Sequence, residues 1–134
     1  MKKIVRLFSL IILVLMNSSC QETKDKISEA MKQELFDLHD TIMPKSMKIE
    51  GMKAKLDSMS SNADSANIAN IKALLDRSNS GMMEWMHQFD LESLDSMELE
   101  QKIIYLKDQI TILKEVNQLT DSSFQLYEDF QANK

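Results

Sequence analysis

Three rows of mostly apolar residues, each stepping alternately by four and three positions, constrain this chain more than any other feature. Met31, Leu35, Leu38, Ile42, Lys45, Ile49, Met52, Leu56 and Met59 form the first row, interrupted only by Lys45. Ile68, Ile71, Leu75, Ser78, Met82, Trp85 and Phe89 form the second. Leu99, Ile103, Leu106, Ile110, Leu113, Asn117, Thr120, Phe124 and Tyr127 form the third. Such a repeat keeps one stripe of a helix turned toward a partner helix, whereas a half-buried strand alternates by two. Only two glycines and one proline stand among 134 residues to break it. The chain reads as all-α.

The breaks between rows carry helix punctuation. Ser60 to Ser65 is small and polar, and Ser61 with Asp64 suits a helix start. Asp95 with Glu98 resembles a capping box after a connection over Gln88–Asp95. The spacing predicts helices over roughly 25–59, 64–89 and 96–130, with ends uncertain by about two to four residues. Short connections make successive helices antiparallel, which gives a coiled-coil-like hairpin extended to an antiparallel three-helix bundle. Residues 20–134 then form a single helical domain. Pro44 removes the bond to the Asp40 carbonyl and predicts a kink, or a division of the first helix, at that point.

The first nineteen residues follow another pattern. Lys2, Lys3 and Arg6 precede an apolar run from Leu7 to Met16, and Asn17, Ser18 and Ser19 lead to Cys20. That is the order of a cleaved secretory signal over residues 1–19, and the run is about half the ~20 residues a membrane span needs. Cys20, the only cysteine, stands where a lipobox places the thiol that receives lipid, although Asn17 replaces the usual aliphatic residue. The sequence thus predicts a lipoprotein of the cell envelope, anchored on the periplasmic or surface side of a membrane. Cleavage before Cys20 removes three positive charges and makes the formal charge of −5 still more negative. An acidic chain is not drawn to nucleic-acid phosphates or anionic lipid. Acyl chains on Cys20 are the expected membrane attachment.

The unevenly placed methionines suggest one candidate for chemistry. Of eleven, Met43, Met47, Met82, Met83 and Met86 gather around the only two histidines, His39 and His87. With Ile42 at a heptad a position, His39 falls at e, Met43 at b and Met47 at f. With Met82 at a, Met83 falls at b, Met86 at e and His87 at f. Both segments therefore carry His and Met on one flank. A helix pair turning near residue 62 sets His39 opposite Met86 and Ile42 opposite Met82. Thioethers with neutral imidazoles and no thiolate suit Cu(I) or Ag(I), and Trp85 could shield the cation with its ring. The candidate ligands are His39, Met43, Met83, Met86 and His87. The plainer reading is that these methionines fill a helical core, with no cofactor at all.

The segments His39-Asp-Thr-Ile-Met-Pro-Lys45 and Met82-Met-Glu-Trp-Met-His-Gln-Phe89 resemble those of a family of small, uncharacterised bacterial lipoproteins. Some members are labelled "viral A-type inclusion protein". That resemblance implies a lipid-anchored helical protein and supplies no activity.

Other chemistries fit poorly. Glu84 and His87 make one Glu-x-x-His step, where a di-iron bundle needs two and further inward glutamates; Phe36 stands at the matching place before His39. Both histidines lie within predicted helices, and no strained nucleophile turn surrounds a serine. Gly51 and Gly81 are too far apart for a phosphate-cradling loop. The expectation is a non-enzymatic interaction or scaffold module that meets an envelope protein, with Cu(I)/Ag(I) binding as the alternative.

Overall fold

A computed structural model describes the backbone of residues 2–59 and 64–133 and the side chains of residues 22–59 and 64–133. The thiol of Cys20, the side chains of the expected signal segment 1–19 and Ser61 lie outside these described residues. The order is α1 (Lys2–Ser46), α2 (Ile49–Ser58), α3 (Ser65–Gln88), α4 (Leu91–Ser96) and α5 (Leu99–Ala132). Among the described residues there is no strand. The protein is an all-α bundle, in which α1 and α2 form one arm, α3 the second and α5 the third.

Cross-helix contacts give the directions. Lys24 meets Glu100 at 3.6 Å, Lys45 pairs with Asp121, and Lys55 donates to Gln131 at 2.7 Å. The last two pairs share a separation of 76 residues, so α1 and α5 run parallel. By contrast, α3 runs against them, with Lys53–Asp76 and Asp57–Lys72 at one end and Phe36–Phe89 at the other.

The predicted rows are the buried faces. Ile68, Ile71, Leu75, Ser78, Met82 and Trp85 are all buried, as are Leu35, Ile42, Ile49 and Leu56. Lys45 keeps its row position by reaching sideways to Asp121. Two apolar clusters result. Leu35, Ile42, Met82, Trp85, Leu94, Leu106, Ile110, Leu113 and Val116 form one; Ile49, Leu56, Ile68, Ile71, Leu75 and Phe130 form the other. Between them Ser46, Ser78, Thr120 and Ser123 make a buried layer of small polar residues.

Three expectations need correction. The first arm does not break at Pro44, which stays inside α1. The interruption comes at Met47–Lys48, where the Lys48 amide bonds to the Lys45 carbonyl three residues back at 2.9 Å. Because the separation of 76 is kept on both sides of this tightened turn, α2 continues α1 without gaining or losing register against α5.

The connection after α3 is not a plain loop. It holds α4, whose Leu94 is fully buried in the cluster with Leu35, Met82 and Trp85. Where α3 stops, α1 and α5 would leave an open groove, and α4 fills it. The side-chain cap also lies earlier than the sequence suggests. The Asp90 carboxylate accepts from the Ser93 amide at 3.0 Å, whereas Asp95 meets Lys32 at 3.4 Å and Glu98 makes no side-chain cap. The third long helix begins at Leu99, within the margin expected around residue 96.

Candidate functional site: an aromatic cleft at the end of α3

Five rings meet where α3 gives way to α4. Trp85 and Phe89 stack with centroids 5.0 Å apart, and Phe89 stacks on Tyr105 of α5 at 6.1 Å. Phe36 of α1 meets Phe89 edge-on at 6.5 Å, and the His39 ring lies 6.0 Å from Trp85 at a tilt of 43°. The residue spacing explains the assembly. Trp85 and Phe89 are one helical turn apart on α3, as Phe36 and His39 are on α1, so antiparallel packing brings two pairs of rings to one level. The Tyr105 hydroxyl secures the corner by accepting from the Asp90 amide at 3.3 Å.

Beside these rings a solvent-open cleft of about 230 Å³ is lined by Phe36, His39, Trp85, Met86, Phe89 and Leu91. His39 and Met86 thus share one site, as their predicted register requires. Met43 lies half-buried against the same cluster. Two of the other candidate ligands do not join them. Met83 is 43% exposed and His87 is exposed, both on the outer face of α3. Met47 is 76% exposed at the turn between α1 and α2, because the buried Ser46 directly precedes it.

Two polar details distinguish this cleft from ordinary packing. The Nδ1 atom of His39 lies 2.9 Å from Oδ1 of Asp40. A carboxylate can only accept there, so the proton sits on Nδ1, and in the neutral ring Nε2 keeps its lone pair. The Trp85 indole is 4% exposed, and its Nε1 is buried without a hydrogen-bond partner. An unsatisfied buried donor costs about 1–3 kcal/mol, so an aromatic hydrocarbon would serve the core better than this indole does.

The surroundings are acidic. From Arg77 to Lys102 the chain contains no other Lys or Arg, but includes Glu84, Asp90, Glu92, Asp95, Glu98 and Glu100. On α1, Asp37 and Asp40 flank His39, and both are exposed. Phe36, Leu91 and Tyr105 were not among the residues singled out for chemistry from sequence. Their signal was there in part, since Phe36 precedes His39 by three residues as Phe89 follows Met86 by three. Among the described residues, no group of three or more His, Cys, Asp or Glu side chains is placed to hold a metal ion.

The chain matches no family model, no curated protein and no solved structure. The resemblance of its two His/Met segments to a lipoprotein family therefore rests on those segments alone.

Proposed function

We propose that the protein is a lipid-anchored, non-enzymatic interaction module of the cell envelope, whose aromatic cleft receives a basic, apolar-anchored segment of another envelope protein. The observation that carries this reading is an open apolar cleft flanked by exposed acidic residues, Asp37, Asp40, Glu84, Asp90 and Glu92 among them. Burying an aromatic or aliphatic side chain in such a pocket is the usual energetic centre of a protein contact, and opposite charge around it steers the encounter. Support for the anchor comes from the charged, apolar and small-residue order of residues 1–19 ahead of Cys20. Among the described residues no helix is long and apolar enough to cross a membrane, which is compatible with attachment through acyl chains.

Two measurements test the reading. Labelled palmitate should enter the wild-type chain and not Cys20→Ser, which should also leave the membrane fraction. A photo-crosslinking residue at Leu91, which lines the cleft and is 44% exposed, should give a discrete adduct with an envelope protein. The same residue at Gly51, exposed on the remote α2, should not. Equal adducts from both positions, or none from either, would remove the cleft as the docking surface.

A second reading is favoured by the convergence of His39 and Met86 on that cleft: binding of a soft monovalent cation.

A further inference from the structure

We propose that His39 Nε2 and the thioethers of Met43 and Met86 form a site for Cu(I), or its analogue Ag(I), beside the indole of Trp85. The register supplies the geometry. Phe36 and Phe89 are in ring contact across α1 and α3. One turn farther into the bundle, three residues along α1 and three back along α3, stand His39 and Met86, both lining the cleft. Met43 follows His39 by four residues, so it shares that face of α1, and it is half-buried against the same cluster. His39 and Met86 therefore meet at one level across α1 and α3, and Met43 adds a second thioether one turn along α1.

The donor chemistry selects the ion. Thioethers are soft ligands that favour Cu(I) over Zn(II), Mg(II) or Ca(II), and the cleft contributes no carboxylate ligand to reverse that order. Asp40 acts as an outer-shell partner, since its bond to Nδ1 fixes the ring tautomer that presents Nε2. The Trp85 ring, 6.0 Å from that of His39, lies within reach to cover a bound cation with its π-face. The acidic residues around the cleft raise the local cation concentration. Met83 and His87 have no part in this site, because both face outward. This assignment is independent of the docking proposal.

The test uses the full chain in detergent, in a Cys20→Ser background so that no thiol competes for the metal. Under anaerobic conditions the protein is titrated against the Cu(I)–bicinchoninate complex, and retention of one equivalent is expected. His39→Ala, Met43→Leu and Met86→Leu should each weaken retention by at least about tenfold, a loss that removal of an outer-shell partner alone can produce. Met83→Leu and His87→Ala should match the parent. Ag(I), which needs no anaerobic handling, should quench Trp85 fluorescence in the parent and not in Met86→Leu. Helical circular dichroism of each variant separates lost binding from lost folding, and the leucine substitutions keep side-chain volume. If bicinchoninate keeps all the copper, or if the Met83 and His87 variants lose as much as the other three, the site does not exist.

Discussion

The hydroxyls of Ser78 and Thr120 lie 2.6 Å apart in the fully buried interior, tying α3 to α5 at the level where the two apolar clusters meet. Thr120 already donates to the Val116 carbonyl at 2.7 Å, so the shared proton belongs to Ser78. The two members are therefore unequal. Thr120→Val takes the acceptor from a buried donor and should cost about 1–3 kcal/mol, whereas Ser78→Ala leaves Thr120 satisfied and should cost about 0.5–1.5 kcal/mol. The double variant should be more stable than the two single losses predict. Urea denaturation of all four proteins decides this, and strict additivity would show that the bond is not coupled.

Leu94 makes α4 part of the core. It is fully buried among residues of α1, α3 and α5, although its helix spans only Leu91–Ser96. Leu94→Ala should cost about 2–5 kcal/mol, the range for a large-to-small change in a packed interior. A loss below about 1 kcal/mol in the same denaturation assay would mean that α4 merely rests on the bundle.

The two glycines separate propensity from packing. A Cβ built on Gly51 meets nothing within 4 Å, whereas one on Gly81 meets Val116 Cγ2 at 3.3 Å. Gly51 lies inside α2, exposed. Gly51→Ala should stabilise by about 0.5–1 kcal/mol through helix propensity alone. The same gain at Gly81 should be partly or wholly offset, because Val116 must yield. Equal gains at both sites would show that α3 and α5 are not held so close.

Lys53 connects α2 to α3 and supplies a pH dependence. Its ammonium lies 2.6 Å from Asp76 and 3.1 Å from Glu50. The hydrogen bond to Asp76, and then that to Glu50, raise its pKa above the ordinary lysine value. A folded-state pKa above the unfolded one gives stability that is complete below the unfolded value, about 10.4, and fades as pH rises through the folded value. The stability gap between wild type and Lys53→Met should hold steady at neutral pH and close on the alkaline side. High salt should narrow it too, since both carboxylate partners are solvent-exposed. A gap that persists unchanged at the highest pH would assign it to the lysine stem instead of its charge.

The rows of four- and three-residue steps contained most of the fold. Every second-row position from Ile68 to Trp85 is buried, Ser78 among them, because periodicity records which side of a helix loses water whatever the residue chemistry at one position. The same record led from His39 and Met86 to one cleft: register within an antiparallel pair follows from helix rise and one short turn. Three things escaped it. A six-residue helix such as α4 is too short to display a period. Val116, Ser123 and Phe130, buried beside the third row, reflect a contact stripe on α5 widened by packing against both α1 and α3. Which methionines face inward was likewise undecided, since Met83 and Met86 differ by less than one turn.

What the sequence alone determined, then, is an acidic, all-helical chain with three buried stripes. Local spacing and charge are enough for that. Only the tertiary structure decided that α4 closes the groove beyond α3, that Phe36, Trp85, Phe89 and Leu91 line the cleft with His39 and Met86, and that Met83 and His87 face away from it. Those outcomes depend on how three amphipathic faces share one interior, and a one-dimensional period does not contain that arrangement.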